Sequence, residues 1–323
     1  MQKIEKEAII LLNMGGPNSY EEVELFLTNM FNDPYILTMK SSLLRKFVAT
    51  MITFFRAESS QEIYKYFNGV SPIVVHSKRL VEALQTKVGS DVIVEYIMRY
   101  TPPFAPEVIQ RLKEQNITKI YLIPLYPQHS STTTSSSLED FEDALHRSGL
   151  KATTIEIKHY FESKKLNSSI LERIKEQLIN ENSQEYNLVF SAHGLPQKIV
   201  DAGDVYQQHI EKHVELLKSM LKEQNIYFES ISLAYQSKVG PMQWLEPSLD
   251  TALDSFKDKK VLIYPIAFTL DNSETEYELS VEYKEIAEGL NIKEYKVALC
   301  PNNHPLFVEA LEEIYTKLKT WNS

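Results

Sequence analysis

The sequence predicts an α/β protein built from two similar doubly wound, Rossmann-like halves, each containing a mainly parallel sheet. Three observations support this fold. Short apolar, β-branched segments alternate with helical patterns along the 323 residues, as in βαβ units. Those segments are almost continuously apolar, which is typical of strands covered on both faces. The order of elements and motifs in the first half also recurs in the second.

The individual elements follow from these periodicities. Predicted strands are 8–14, 91–98, 118–125, 187–192, 228–235 and 260–268, with weaker ones near 152–159 and 295–300. Predicted helices are 20–30, 41–56, 76–88, 105–115, 136–147, 164–180, 205–224, 274–289 and 305–320.

The internal repeat indicates the domain boundary. Residues 120–141 and 261–283 both run from a buried strand through a polar turn into an acidic helix. The strands 91–100 and 228–237 correspond, as do 8–14 and 187–193. The turn residues near 150 then separate an N-terminal half, 1–150, from a C-terminal half, 151–323. The last helix, 305–320, could pack on either half, including the N-terminal one.

Composition excludes some functions. A net charge of −10 argues against nucleic-acid binding, which needs a basic surface. The single cysteine, Cys300, cannot form an intramolecular disulfide, and this favours a reducing cytoplasm. The short apolar segment near the start is too brief for a signal sequence or a membrane-spanning helix.

Polar motifs follow the predicted strands, where ligands bind in open α/β sheets. They are NMGGP (13–17), RYTPP (99–103), YPQHSSTTTSS (126–136), SAHGLP (191–196), YQSKVGP (235–241) and FTLDNSETE (268–276). Gly15 and Gly16 lack the spacing of a phosphate or dinucleotide loop. We interpret them as a tight turn whose backbone approaches a flat ligand.

His193 ends a buried strand and precedes Gly194. Its imidazole could bind a metal or accept a proton near neutral pH. A capping or core histidine is the alternative, and the sequence leaves both open. A second pair, His209 and His213, is four residues apart on a predicted helix, but no third ligand is evident. We interpret that pair as a surface feature.

A row of carboxylates lies on the predicted helix 274–289. Asp271, Glu274, Glu278 and Glu282 follow one another at spacings of three, four and four, which stacks them on one face, as a path for a hard cation would require. An ordinary solvated face has the same pattern, and spacing alone favours that alternative.

The segment 40–56 has an apolar helical face flanked by basic residues. The face consists of Leu44, Phe47, Val48, Met51, Ile52 and Phe55, and the flanking residues are Lys40, Arg45, Lys46 and Arg56. It could touch a membrane or an apolar substrate. A helix buried on the sheet would show the same stripe.

Taken together and in order, the motifs resemble those of the ferrochelatase family over nearly the whole chain. They include LLNMGGP, GVSP (69–72), MRYTPP, PLYPQHS, SAHGLP, YQSKVGPMQWLEPS (235–248) and YPIAFTLDNSETEYE (264–278). The resemblance implies chelatase-type halves around a porphyrin cleft. It also implies insertion of ferrous iron into protoporphyrin IX to form protohaem, the last step of haem biosynthesis.

Residue roles follow from that resemblance. His193 matches the catalytic histidine and Glu274 the cleft carboxylate, and both are expected to contact the metal. Met14 matches a residue over the macrocycle, where the coproporphyrin-using branch usually has tyrosine. Further matches bind propionates or line the porphyrin: Arg99, Tyr100, Ser130, Phe268 and Asp271.

The resemblance also sets expectations for cofactors and partners. Fe²⁺ is expected as a substrate, with no permanently bound cofactor. The cysteines that hold an iron–sulfur cluster in animal relatives are absent. We expect a cytoplasmic monomer with possible peripheral membrane contact through 40–56. One position departs from the family: Asn272 stands where a histidine is usual, which puts a proton relay there in doubt.

Two other functions remain compatible with the sequence. A porphyrin or haem carrier would keep the fold without turnover, and Asn272 is the feature that favours it. A chelatase for coproporphyrin III or another tetrapyrrole is the second, including one that inserts cobalt into a sirohydrochlorin-type ring. Relatives of that last kind are usually shorter and lack the QSKVGPMQWLEPS segment.

Overall fold

A computed structural model describes residues 6–238, 240 and 242–321 of the chain. The described residues form two compact units. One contains those up to His159 together with those from Val308, and the other is Tyr160–Phe307. The observed division thus falls between 159 and 160, where the sequence placed it near 150. No helix within the described ranges has both the length and the apolar character needed to cross a membrane.

The N-terminal unit contains a four-stranded parallel sheet in the order β2-β1-β3-β4. Its strands are β1 (Glu7–Asn13), β2 (Val92–Met98), β3 (Lys119–Pro124) and β4 (Thr153–Glu156). Its helices are α1 (Glu22–Phe31), α2 (Ser42–Tyr66), α3 (Pro72–Val88), α4 (Ala105–Glu114) and α5 (Ser136–Ser148), and a π-helix, Ser131–Ser135, precedes α5.

The C-terminal unit contains a second parallel sheet, in the order β6-β5-β7-β8. Its strands are β5 (Tyr186–His193), β6 (Ser230–Gln236), β7 (Lys260–Pro265) and β8 (Glu294–Val297). Its helices are α6 (Lys164–Glu176), α7 (Gln197–Asp201), α8 (Tyr206–Glu223), α9 (Leu249–Leu253) and α10 (Tyr283–Gly289), with a π-helix, Glu274–Glu282, before α10 and 3₁₀ turns at Ser183–Glu185 and Asp254–Phe256.

The two sheets have the same strand order, which confirms the predicted pair of similar parallel halves. The central strands β1 and β5 are almost entirely buried, because helices cover both faces of a doubly wound sheet. The repeat extends to a detail that periodicity did not reveal. In both units a π-helix follows the third strand along the chain, and such segments are frequent at functional sites.

The last helix, α11 (Pro305–Trp321), is fixed to the N-terminal sheet. Its Tyr315 hydroxyl and its Lys319 ammonium, at 2.8 Å, both contact the buried carboxylate of Glu7 on β1. The rings of Tyr315 and Tyr121 meet edge to face at 4.9 Å. The helix therefore completes the N-terminal unit although it comes from the end of the chain.

Helix α2 excludes one of the two alternatives for segment 40–56. It runs ten residues beyond the predicted end, and it packs on α1 through the small buried residues Ala49, Thr53 and Ala57. The large apolar side chains point outward, so burial on the sheet is wrong. Five of them are more than half exposed: Leu43, Leu44, Phe47, Phe54 and Phe55.

The histidines of α8 also differ from their interpretation as a surface pair. His213 is completely buried, and its Nε2 lies 2.7 Å from Oδ1 of Asn167. Burial lowers the pKa of His213 to about 3, because desolvation penalises the imidazolium. The ring of Phe161 packs against both His209 and His213. The pair thus belongs to the packing of the C-terminal unit.

Candidate active site

Two motifs of the C-terminal unit meet at the ends of neighbouring parallel strands. His193 closes β5 and is in register with Gln236, the last residue of β6. The N–H of Gly194 donates to the Gln236 carbonyl oxygen at 2.8 Å. A Cβ at position 194 would lie 2.9 Å from that oxygen. This close approach requires glycine, and it explains why His193 is followed by one.

The imidazole of His193 pairs with the carboxylate of Glu274, the first residue of the C-terminal π-helix. Nδ1 of His193 lies 2.8 Å from Oε2 of Glu274, and the two side chains are 38% and 23% exposed. The Tyr206 hydroxyl donates to the His193 carbonyl oxygen at 2.9 Å. The ring of Phe268 stands edge-on to the imidazole, with 6.5 Å between centroids. Three predicted site residues, His193, Glu274 and Phe268, therefore come together.

The surroundings raise the pKa of His193 to about 9. Burial by itself acts in the opposite direction, because it disfavours the charged imidazolium. The charge of Glu274, its hydrogen bond and the charge of Glu278 outweigh that penalty. At neutral pH the imidazole is consequently protonated, and Nδ1–H donates to Glu274. The ring must lose this charge before it can act as a base or bind a metal.

Glu278 forms a second carboxylate position, four residues along the π-helix. Burial and the neighbouring charge of Glu274 raise its pKa to about 7. Hydrogen bonds from Ser237 and Gln236 and the charge of His193 partly oppose this shift. Glu278 therefore exchanges a proton near neutral pH, where an ordinary glutamate stays ionised.

Ser237 connects the two carboxylates. It has a φ of +65°, which is uncommon for a residue with a side chain, and it turns the chain immediately after β6. Its Oγ lies 2.7 Å from Oε2 of Glu278 and 3.4 Å from Oε2 of Glu274. Gln236 also donates to Glu278, at 3.3 Å, and is itself held by Ser191 at 2.6 Å. A continuous polar contact thus runs from β5 to the π-helix.

An open pocket of about 600 Å³ extends from these groups along the π-helix. It is lined by Ser237, Lys238, Asp250, Glu278, Glu282, Tyr283, Glu285 and Ile286. The prediction of an ordinary solvated face is therefore wrong for Glu274 and Glu278, which are partly buried and bonded to other strands. It holds for Glu282, which is exposed. Spacing could not distinguish them, because the partners come from elsewhere in the sequence.

Asn272, which stands where a histidine is usual in the family, binds the backbone of the turn that precedes the π-helix. Its Oδ1 accepts the backbone N–H of Glu274 at 2.8 Å, and its Nδ2 donates to the Leu270 carbonyl oxygen at 3.2 Å. This Asx-type turn fixes the backbone of Glu274 at the start of the helix. Asn272 is buried, and a neutral amide serves this position.

Asp271 is a buried anchor. Its carboxylate accepts the Thr275 hydroxyl at 2.9 Å, the Cys300 N–H at 3.1 Å and the Asn302 amide at 2.5 Å. With 1% of the residue exposed, the side chain ties the turn after β7 to the turn after β8.

The N-terminal unit holds a second cluster, around Arg99 at the end of β2. The guanidinium pairs with Asp33 at 3.2 Å and with Asp140 at 3.3 Å, and its Nε donates to Ser136 at 2.9 Å. Tyr100 is almost fully buried and donates its hydroxyl to Asp33 at 2.9 Å. Arg99 remains partly accessible, whereas Tyr100 supports it from within the unit.

The remaining predicted residues lie in tightly packed turns. Met14 is partly buried beside an apolar cluster that includes Phe26 and Tyr100. Ser130 is buried and caps the π-helix at 131–135 through a bond from the Thr132 N–H. Both residues follow a strand of the N-terminal sheet.

The predicted tight turn at Gly15 and Gly16 is closely packed within the protein. A Cβ on either residue would meet protein atoms at 2.5 Å, namely Thr101 Oγ1 for Gly15 and Ser71 Oγ for Gly16. The tight turn exists, with a φ of +90° at Gly15. The close approach that requires glycine here is to the RYTPP and GVSP motifs, and the approach of the backbone to a flat ligand stays a prediction.

Three contributing residues carried little or no signal in the sequence. Asp33 lies between helices, Ser237 lies inside a recognised motif, and Tyr206 begins an ordinary amphipathic helix. Asp33 and Ser237 act through Arg99 and Glu278, which lie far along the chain, whereas Tyr206 acts through His193, 13 residues before it. Only the second could have been suspected, because the YQSKVGP motif follows a strand.

We predict that the imidazole of His193 titrates near pH 9 in the free protein. Glu274→Gln should lower that pKa to its ordinary value of 6.5 or below, because the stabilising charge is lost while the burial remains. Imidazole NMR shifts of histidine-labelled protein across a pH series would measure it. Glu282→Gln, an exposed carboxylate on the same helix, is the matched control. An unaltered titration in Glu274→Gln would contradict the assignment.

Known proteins similar to this chain agree with the motif resemblance. The family model described as Ferrochelatase matches residues 6–318. The ferrochelatase of Sulfurimonas denitrificans is 59% identical over 316 residues, covering 98% of this chain and 100% of that protein. The ferrochelatase of a Nitratiruptor species is 51% identical over 312 residues, covering 97% and 100%.

Solved structures support the same fold at low sequence identity. SirB from Bacillus subtilis with Fe³⁺ gives a TM-score of 0.59 at 12% identity, over 97% of this chain and 95% of that one. The sirohydrochlorin chelatase SirB from Bacillus subtilis subspecies spizizenii, in complex with cobalt, gives 0.56 at 11%, over 94% and 92%. At such low identity, the two likenesses show only that this chain has the chelatase-type fold. Since the family model and the relatives span almost all of the sequence, the chain belongs to the ferrochelatase family.

Proposed function

We propose that the protein inserts ferrous iron into protoporphyrin IX to form protohaem, and that His193 and Glu274 carry out the reaction. The observation that carries this proposal is the contact between them at the strand ends, with Glu278 next along the helix. An imidazole and two carboxylates offer donors that suit Fe²⁺ and groups that accept protons. Membership of the family supports the same activity.

The proton balance of the reaction suits this cluster. Two pyrrole N–H bonds break, the nitrogens bind Fe²⁺, and two protons leave. In the free protein His193 already holds a proton, so it must release that proton before taking another. An arriving Fe²⁺ favours this release, since a second cation nearby destabilises the imidazolium.

Glu278 is the group that we propose accepts the released protons. Its pKa of about 7 lets it accept a proton near neutral pH, and Ser237 joins it to Glu274. The exposed carboxylate of Glu282 lines the same open pocket. We propose this sequence of carboxylates as the exit for protons, which makes a histidine at position 272 unnecessary.

The sequence does not contain the cysteines that usually bind an iron–sulfur cluster. A [2Fe–2S] or [4Fe–4S] cluster usually takes four cysteine thiolates, and this sequence has one, the buried Cys300. We therefore propose iron only as a substrate, received by His193 and Glu274.

Substrate carboxylates require a cationic partner. Arg99 is the candidate, because its guanidinium is partly accessible and Ser136 and Asp33 fix its orientation. A guanidinium binds carboxylates through paired N–H groups. We propose that Arg99 binds a porphyrin propionate and that the apolar Met14 lies against the macrocycle.

His193→Ala and Glu274→Gln should each reduce metal insertion, by about 10²-fold or more, the scale of positioned acid–base catalysis. Formation of zinc or iron porphyrin, followed by absorbance over many turnovers, measures the rate, and porphyrin fluorescence measures binding. Both variants should still bind porphyrin. His146→Ala and Glu288→Gln, both exposed, are matched controls. Normal turnover in His193→Ala would refute the proposed role, and wild-type protein that binds without turnover would be a carrier.

The wild-type protein should prefer protoporphyrin IX to coproporphyrin III, by about tenfold or more in kcat/KM. Coproporphyrin carries two further carboxylates where protoporphyrin has vinyl groups, and desolvating unpaired charges beside Met14 is costly. The same absorbance assay with each porphyrin measures the ratio. A ratio below one would assign the protein to the coproporphyrin-using branch.

We also propose that the exposed face of α2 rests on an anionic lipid surface. Its outward aromatic and aliphatic side chains form a patch of the kind that marks interaction sites. Lys40, Lys46 and Arg56 beside it are exposed, and they complement anionic headgroups.

Phe47→Ser combined with Phe54→Ser should abolish most cosedimentation with vesicles containing phosphatidylglycerol, because these two rings supply much of the exposed apolar area. Wild-type protein should bind purely zwitterionic vesicles more weakly than anionic ones. Tyr227→Ser, which removes an exposed aromatic ring from the other unit, is the control. Equal sedimentation of the double variant and the wild type would exclude the contact.

A further inference from the structure

Arg99 forms ion pairs with two carboxylates, which differ in their burial and in the number of their hydrogen-bond partners. Asp33 and Asp140 approach different terminal nitrogens, Nη2 at 3.2 Å and Nη1 at 3.3 Å. Nε is used by Ser136, and the ring of Tyr100 lies beneath the guanidinium at 5.3 Å. The guanidinium is thus held on several sides before any ligand arrives.

Asp33 is a permanent partner. Its side chain is fully buried, with 0% exposed. One oxygen accepts the hydroxyls of Tyr100 and Ser136, and the other accepts the backbone N–H of Tyr35 at 2.8 Å. Releasing Arg99 from Asp33 would leave a buried charge without its counter-ion, which is strongly unfavourable.

Asp140 is bound far less firmly. It lies on α5 with 26% of its side chain exposed, and among the described residues its one ion pair is with Arg99. Partial burial raises the pKa of Asp140, although the charges of Arg99 and Arg147 oppose the shift. These cations offset the cost of desolvating the carboxylate only in part.

A third carboxylate cannot join this cluster without cost. One guanidinium already faces two negative charges, so an incoming propionate would meet net repulsion as well as the attraction of Arg99. Arg99 and Asp140 are both partly exposed, with 22% and 26% of their side chains accessible, whereas Asp33 is not. Displacing Asp140 leaves the charge balance unchanged, because one carboxylate replaces another.

We propose that Asp140 is an exchangeable counter-ion that occupies Arg99 in the free enzyme and yields to a carboxylate of the porphyrin, while Asp33 stays in place. The inference rests on the proposed function and deepens it, because it identifies what the substrate carboxylate must displace. Asp140 then lowers the affinity for porphyrin acids and keeps the guanidinium oriented while the site is empty.

The test is metal-free porphyrin binding, measured by fluorescence titration with protoporphyrin IX and with its dimethyl ester. Asp140→Asn should bind the diacid about three- to tenfold more tightly, the range expected for removing one partly exposed competing charge. The same variant should bind the ester as the wild type does. Asp140→Glu, which keeps the charge, should resemble the wild type for both probes.

Asp143→Asn is the matched control, since it makes the same change on an exposed side chain of the same helix. A general packing effect of Asp140→Asn would alter the affinity for diacid and ester alike, and that result would overturn the inference. Unchanged diacid affinity would also overturn it, leaving the proposed function intact. Failure of wild-type protein to bind any porphyrin would instead reject the proposed function.

Discussion

The contact between His193 and Glu274 is the interaction on which the rest of the candidate site depends. It requires a parallel strand to stop at His193 and a π-helix to start at Glu274, so both framework and site must form together. The charge of Glu274 favours the imidazolium form of His193, and this offsets the cost of burying that charge. Glu278 adds a second negative charge, which leaves the cluster able to attract a cation and to exchange protons near neutral pH.

The N-terminal cluster also combines partly buried opposite charges, but there a cation lies at the centre. There a single cation is held by one deeply buried carboxylate and one accessible carboxylate. In each unit, one charged group is fixed by protein partners and a second borders solvent. In the N-terminal unit the fixed group is Asp33 and the group beside solvent is Asp140.

Much of the fold was predictable because its signals are local. Apolar strands separated by amphipathic helices identified eight strands within about three residues at each end. The repeat of motifs predicted two sheets with equivalent order, as observed. Local signals failed where a neighbour distant in sequence decides the outcome. The outward face of α2, the burial of His213 and the partners of Gly15 depend on packing that no helical or strand period encodes.

By itself the sequence determined the parallel α/β architecture, the motifs at the strand ends and the family to which the chain belongs. Only the tertiary structure decided which of several similar carboxylates contacts His193. Glu274 meets a histidine 81 residues away, whereas Glu282, eight positions further on, stays exposed. Asp33 reaches Tyr100 across 67 residues and carried no motif at all. Hydrogen bonding and charge balance act through space, and spacing along one helix therefore cannot report them.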